Sequence, residues 1–261
     1  MDKILNTTIS SWAQFVEIMT GSDYKSWAFR GHSDADWPIL STLSRYLKTY
    51  NIHPEVWPVM ESRILRIFKR KAHLFLTHIP QEKDDLEWLA LMQHHGTPTR
   101  LLDFTWSPYV AAFFALERAT KDAAVWAVFP PKLIKDEKRG PWIQGNYVEY
   151  FLPNTQELIV ICEPRQMNQR LIAQSGTFII PGVLDKSIEN TVPADSIVKF
   201  TFDTDKMRKQ AMVELYNMNI TNATLFPGLD GLARSLAYEL EFHWAFDTTT
   251  LEPRKGYEKK N

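Results

Sequence analysis

The sequence predicts an α+β fold, a single domain in which several helices surround a small sheet of short strands. Apolar residues recur with helical period in several long segments. Short β-branched and aromatic runs such as "AAVWAVF" and "SIVKFTF" end at turn residues. No internal repeat, low-complexity tract or Pro/Gly linker divides residues 1–250, and the charged residues 251–261 read as a frayed tail.

The elements follow in chain order. "SSWAQFVEIM" puts Trp12, Phe15, Ile18 and Met19 on one helical face, with Ser10 or Ser11 as its cap. "SWAFRG" reads as a short strand that Gly31 stops. "ILSTLSRYL" is helical in its later part. Pro54 and Pro58 introduce a long helix reaching about Leu76, with Met60, Ile64, Ile67 and Phe68 as its apolar face and Arg63, Arg66, Lys69, Arg70 and Lys71 as its basic one. "DDLEWLALMQHHG" is a helix with acidic residues at its start and Gly96 at its stop. Ser107 caps the next helix, Pro108 takes its first position, and "YVAAFFAL" is apolar nearly all round, which predicts a central, buried helix.

"AAVWAVF" is a strand, "PPKLIKDEKRGP" a loop and "ELIVIC" a further short strand. "PRQMNQRLIAQSG" reads as a helix leading through Gly176 into the strand "TFII". After the strand "SIVKFTF" comes the capped helix "DTDKMRKQAMVELYNM", then a turn and a last helix with Leu232, Leu236 and Leu240 at steps of four.

Composition narrows the function classes. Of 261 residues, 44% are hydrophobic and 23% charged, an ordinary globular balance. Thirty basic residues against 31 acidic ones leave a net charge of −1, which argues against gripping nucleic acid through bulk charge. The single cysteine, Cys162, excludes an intrachain disulfide and points to the cytosol. "MDKILNTTISSWAQF" lacks the apolar run of a secretory leader, and no window approaches the ~20 apolar residues of a membrane span. A cytoplasmic chain with no membrane partner is expected.

The polar candidates gather in "HHGTPTRLLDFTWSPYVAAFFA". His94 and His95 are neighbours on a last helical turn, and their side chains point about 100° apart, so they do not share a metal. With one cysteine and no spaced histidine pair nearby, no metal site is assigned. His95, Thr97, Thr99, Arg100 and Asp103 make a polar turn before a wholly apolar helix. Such a turn either satisfies itself or lines a pocket. Arg30, at a strand end beside Gly31, either pairs with a carboxylate such as Asp103 or clamps an anionic ligand, Gly31 giving the backbone close approach. Arg170 and Gln174, four apart on a short helix, share a face, a pattern more often solvated than functional.

These same residues carry a resemblance. "FRG" at Phe29 to Gly31, then "WPILSTLSR", "QHHGTPTRLLDFTWSPYVAAFFA", "RLIAQSGTF" and "LFPGLDGLA" resemble, in order, the motifs of the FRG domain family of mainly bacterial proteins. Some members accompany mobile elements and phage-defence genes, so the resemblance implies a role in bacterial or phage conflict. A more remote resemblance is to ADP-ribosyltransferases, one branch of which carries an arginine–glycine pair on an early core strand. That resemblance implies an ADP-ribosyltransferase-like fold, with NAD as substrate and no required cofactor. Arg30 would then hold the pyrophosphate, and the Thr97 to Asp103 turn would line the nicotinamide or ribose pocket.

The same branch uses a late catalytic glutamate. "ELE" at Glu239 to Glu241 matches by letters only, because residues two apart on a helix point about 200° apart. Glu149 and Glu157 lie near strands without a motif, so no catalytic glutamate is assigned.

Three functions fit. The first is a nucleotide-using enzyme, an ADP-ribosyltransferase or NAD hydrolase. In it Arg30 and Arg100 contact phosphate, Asp103 serves as acid–base or electrostatic group, and Gly31, His95, Thr97, Thr99 and Gln174 complete the ligand site. The second is a non-catalytic module that binds a nucleotide or a protein through the same residues. The third is a nucleic-acid-directed activity that uses the basic helix face at Arg63 to Lys71.

Overall fold

The computed structural model describes residues 4–133, 147–243 and 245–253. The assigned loop "PPKLIKDEKRGP" and the charged tail lie mostly outside them. Among the described residues, seven strands form one sheet: β1 (Leu5–Ile9), β2 (Ala28–His32), β3 (Leu102–Thr105), β4 (Ala123–Val128), β5 (Ile159–Cys162), β6 (Gly176–Pro181) and β7 (Ile197–Phe202). Their order across the sheet is β1-β7-β4-β2-β3-β6-β5. All neighbours run antiparallel except the edge pair β1 and β7, which is parallel. The α+β class therefore holds, with a sheet larger than the small one expected.

Period-2 alternation divides the core between the sheet's two faces. Phe29, Val125, Ala127, Phe200 and Phe202 pack on one side with helices α1 (Trp12–Thr20), α5 (Pro108–Leu116) and α8 (Thr204–Asn217). Ala28, Trp126, Val128 and Ile197, at odd steps from them along β2, β4 and β7, join Ile39, Leu102 and Phe104 in a second cluster. A third cluster seats α3 (Trp57–Ala72), α4 (Asp85–His94) and α6 (Tyr147–Tyr150) against Phe178 and Ile180 of β6.

The predicted caps form: Ser11, Ser107 and Asp203 each accept a backbone N–H from the first turn of α1, α5 and α8. Asp84, expected only as part of an acidic helix start, caps α4 in the same way. Ser41 does the same for α2 (Thr42–Thr49). The end of α4 is a Schellman turn, in which Thr97 N donates to Met92 O at 2.9 Å, Gly96 N donates to Gln93 O at 3.0 Å, and Gly96 takes φ +85°.

Several expectations give way. Gly31 does not stop β2 but sits within it, opposite Val125. A Cβ there would lie 2.0 Å from Ala111 O and 2.6 Å from Ala115 N, so this glycine admits the backbone of α5 rather than that of a ligand. Residues read as the end of a polar turn form β3, a strand too short for periodicity to reveal. β1 was likewise not assigned.

In α3 the inward stripe is Trp57, Glu61, Leu65 and Ala72, whereas Met60 and Ile67 are exposed. Ile64 and Phe68 of the expected face do pack on the core, but the apolar pattern missed the centre of the buried stripe because that stripe contains a glutamate. The helix α10 (Leu229–Glu241) packs through Gly231 and Ser235 and turns Leu232, Leu236 and Leu240 outward.

Candidate functional site

The centre of the sheet contains a split. β2 pairs with β4 over five residues, from Ala28 to His32, but meets β3 only at Phe29 opposite Thr105. Beyond that pair the two strands part, and backbone groups on their facing edges need other partners. The Arg30 side chain supplies one: its Nη1 donates to the main-chain oxygen of Asp103 at 2.6 Å. A cleft of about 210 Å³ opens at the split, lined by Phe29, Arg30, Gly31, Asp103, Phe104, Thr105, Phe114, Arg170 and Gln174.

Arg30 is fixed at two points. Its Nε donates to His32 Nε2 at 3.1 Å, while His32 Nδ1 lies 3.2 Å from Trp37 O. An imidazole that accepts at Nε2 must carry its proton on Nδ1, so it donates to the Trp37 carbonyl. Burial first, then the positive charges of Arg30 and Arg45, hold the His32 pKa down to about 3 and keep the ring neutral. Burial likewise draws Arg30 down to about 10, opposed by Asp103 and assisted by Arg45, which leaves the guanidinium charged at neutral pH. Arg30 forms no ion pair with Asp103. Two of its five N–H groups are spent on His32 and the Asp103 carbonyl, and the others have no acceptor among the described residues.

Arg170 comes from the far side, on the short helix α7 (Gln169–Ala173), where Asn168 caps the first turn by accepting from Leu171 N at 2.8 Å. Its guanidinium lies over the Phe226 ring at 4.8 Å, and Phe226 meets Phe114 of the cleft wall edge-on at 5.9 Å. Among the described residues Arg170 has neither a carboxylate partner nor a hydrogen-bond acceptor. Gln174 is buried beside it; its Nε2 donates to Leu225 O at 3.0 Å, and its main-chain oxygen accepts from Thr105 Oγ1 at 2.7 Å.

Asp103 stands between the two arginines on β3. Its Oδ1 accepts from Gln93 Nε2 at 2.7 Å, and the Gln93 oxygen accepts in turn from the buried Thr99 hydroxyl. A second, smaller recess of about 30 Å³ adjoins the cleft. Asp103, Arg170 and Gln174 line both, and Gln93, His94 and Asn168 supply the recess's remaining polar lining. Burial first, then the neighbouring His95 ring and the Arg170 charge, lower the His94 pKa and favour its neutral ring.

The structure thus brings Arg30, Gly31, Asp103 and Gln174 into one cleft, with Thr99 behind them as a support. Thr97 serves the helix end, and His95 lies exposed at the C-cap of α4. Arg100 leaves the candidate site altogether. It is fully buried, its Nε donates to Glu61 Oε1 at 2.8 Å, and Nη2 pairs with Glu61 Oε2. Nη1 donates to Pro181 O at 2.9 Å and Gly182 O at 3.0 Å, and the Tyr147 hydroxyl donates to Glu61. Burial works against this charge, but the fields and hydrogen bonds of Tyr147 and Glu61 outweigh it and hold the Arg100 pKa above its ordinary value.

Glu239 and Glu241 both lie on α10, and Glu241 pairs with Arg208. Arg63, Arg66, Arg70 and Lys71 remain exposed on α3 and line neither cavity. Among the described residues no three His, Cys, Asp or Glu side chains gather as a metal site, and no helix is long and apolar enough to cross a membrane.

Phe114 and Gln93 are site residues that the sequence did not single out, and the sequence marks Arg170 only as one of a pair on a short helix, a pattern more often solvated than functional. Spacing gave a faint signal for Arg170, four residues before Gln174. Phe114 gave none, being one apolar residue in an apolar helix.

Residues 25–124 match the family model of the FRG domain, which supports the resemblance to that family. The matched span runs from before β2 into the start of β4. It contains Arg30, Gly31, Asp103 and Phe114, whereas Arg170 and Gln174 lie beyond it. No curated protein and no solved structure matches the chain.

Proposed function

We propose that this FRG-domain chain is a nucleotide-directed enzyme whose cleft grips the diphosphate of NAD between Arg30 and Arg170 and places Asp103 beside the ribose. One observation carries the reading: two guanidinium groups with unspent donors face one cleft, with a single carboxylate between them. Arginine forks match phosphate oxygens, and each charge-assisted hydrogen bond contributes about 1.5–3 kcal/mol. The cleft, at about 210 Å³, is smaller than the ~300–1,000 Å³ that enclose a drug-sized ligand. It therefore takes the diphosphate and adjoining ribose of a dinucleotide rather than all of it.

The chemistry that suits this arrangement is cleavage of the N-glycosidic bond. Its transition state is oxocarbenium-like, and a carboxylate near the ribose stabilises the developing positive charge. Asp103 is the carboxylate in the cleft, which favours an enzyme over a passive binding module. Gln93 and Thr99 fix the orientation of Asp103, and His32 fixes that of Arg30.

Calorimetric titration of the purified protein with NAD and ADP-ribose, beside nicotinamide release, tests the reading. Binding should weaken by about tenfold or more in folded Arg30→Ala and Arg170→Ala variants, the loss expected for a phosphate contact of ~1.4 kcal/mol or above. Binding without nicotinamide release indicates a sensor, and failure to bind either compound refutes the proposal.

A further inference from the structure

The helix α10 presents its apolar side to solvent. Leu229, Leu232, Ala233, Leu236, Ala237 and Leu240 recur along it at the spacing of a core-facing stripe. All six are exposed, the four leucines by 79%, 52%, 59% and 83%. The opposite side holds the helix in place. A Cβ at Gly231 would lie 1.8 Å from Phe226 O and 2.8 Å from Asn222 O, and Ser235 is buried one turn later, so close backbone packing fixes the leucines outward.

α3 carries a second apolar ridge. Met60 and Ile67, seven residues apart, line up along the helix, and Leu74 and Phe75 follow on the turn past its end. They are exposed by 38%, 39%, 72% and 85%.

The edges of the two faces are opposite in charge. Arg63, Arg70 and Lys71 stand three or four residues from Met60 or Ile67 and therefore flank the α3 ridge. Among the described residues α3 forms ion pairs only through Glu61 and Lys69, so these three cations keep their charge free. On α10, Glu239 stands three residues after Leu236 on one edge, and Asp230 three before Ala233 on the other. Neither is paired among the described residues. The other charges of that helix are engaged, Glu241 by Arg208 and Arg234 over the Phe226 ring at 5.1 Å.

We propose that α10 of one copy docks on α3 of a second copy, so that the chain assembles head to tail. Both faces stand exposed in the same molecule, and neither covers the other within one copy. Two α10 helices laid face to face bring acid against acid, and two α3 helices base against base, arrangements that oppose association. The crossed pairing sets apolar ridge on apolar ridge and acidic edges on basic ones. Ala233 and Ala237 lie low beside the row Leu232, Leu236 and Leu240, which leaves a groove for Met60 and Ile67.

Because two different patches meet, a docked copy still offers its own free face, and assembly continues as a filament or closes as a ring. One helix on one helix covers less than the ~1,600 Å² of a standard interface, so micromolar rather than nanomolar association is expected. Neither patch lines the cleft, so the assembly does not depend on the nucleotide reading.

Sedimentation velocity of the purified protein at rising concentration tests this, beside Leu236→Glu and Ile67→Glu, each checked for folding by circular dichroism. Wild-type mass should grow past that of a dimer. Each variant alone should stay monomeric, its association weakened by about tenfold or more. An equal mixture should form a dimer and nothing larger, because one intact α10 meets one intact α3. Should Ile67→Glu fail to fold, Leu74→Glu, at a more exposed position, replaces it. Wild type that stays monomeric at its highest concentration overturns the proposal. So does an Ile67→Glu protein that dimerises alone, since α10 then pairs with itself, and so does a mixture that yields no dimer although wild type associates.

Discussion

His32 Nε2 accepts the Nε–H of Arg30 at 3.1 Å, and the same imidazole faces the Trp37 carbonyl at 3.2 Å through Nδ1. A neutral ring thus links a loop carbonyl to the guanidinium at the mouth of the sheet's split. The orientation of Arg30 is decided by a residue that lines neither cavity.

Replacing His32 by leucine leaves Arg30 charged but removes the acceptor for its Nε–H. ADP-ribose affinity should fall by about tenfold, the equivalent of ~1.4 kcal/mol of lost preorganisation. His32→Gln, which keeps an acceptor at similar reach, should recover most of that loss. Equal weakening in both variants, measured calorimetrically on folded protein, would count against the link.

The same histidine makes the fold acid-sensitive. Its pKa is about 3 in the folded state and about 6.5 in an unfolded chain. Above pH 6.5 neither state binds the proton, so stability does not change on this account. As pH falls from about 6.5 to about 3, the unfolded chain takes up a proton that the folded one refuses, and stability declines by at most about 5 kcal/mol. Urea unfolding across this range, with His32→Gln as control, measures the difference; the variant should show a shallower decline.

The Glu61–Arg100 pair is structural. Removing one partner leaves a buried charge uncompensated, so Glu61→Ala should destabilise by about 3–5 kcal/mol. Substitution of both by apolar residues of similar volume should recover part of this. Denaturant midpoints of the single and double variants give the comparison. If Glu61→Ala folds with wild-type stability yet loses ADP-ribose binding, the pair belongs to the site after all.

Gly31→Ala should be severely destabilising, by ~3 kcal/mol or more, because the added Cβ collides with backbone atoms of α5 rather than with a flexible side chain. The melting temperature reports it directly. A stable Gly31→Ala protein would mean that α5 can move away from β2.

Much of the fold was legible in the sequence where chemistry is local. Ser11, Ser107 and Asp203 were visible as caps because a cap acts over three residues, and the helix stop at Gly96 because left-handed backbone favours glycine. "AAVWAVF" and "SIVKFTF" were visible as strands because both are dense in residues that suit a pleated sheet. β3 was hidden: four residues including an aspartate give no period, and its pairing partner lies more than seventy residues downstream. The inward face of α3 was misread in part: Ile64 and Phe68 do pack on the core, but Glu61 is buried as well, because Arg100 and Tyr147 from other elements satisfy it.

By itself, the sequence determined the α+β class, the main helices and the FRG motifs, and it marked Arg30, Asp103 and Gln174 as residues requiring a polar explanation. Only the tertiary structure decided which polar residues share a cavity. It parted β2 from β3 so that Arg30 and Asp103 face one cleft, sent Arg100 into a buried pair with Glu61, and carried Arg170 to the opposite wall. The reason is physical. Caps and strand patterns follow from neighbours a few residues apart, whereas a charged side chain settles wherever the folded chain supplies a partner or leaves a space.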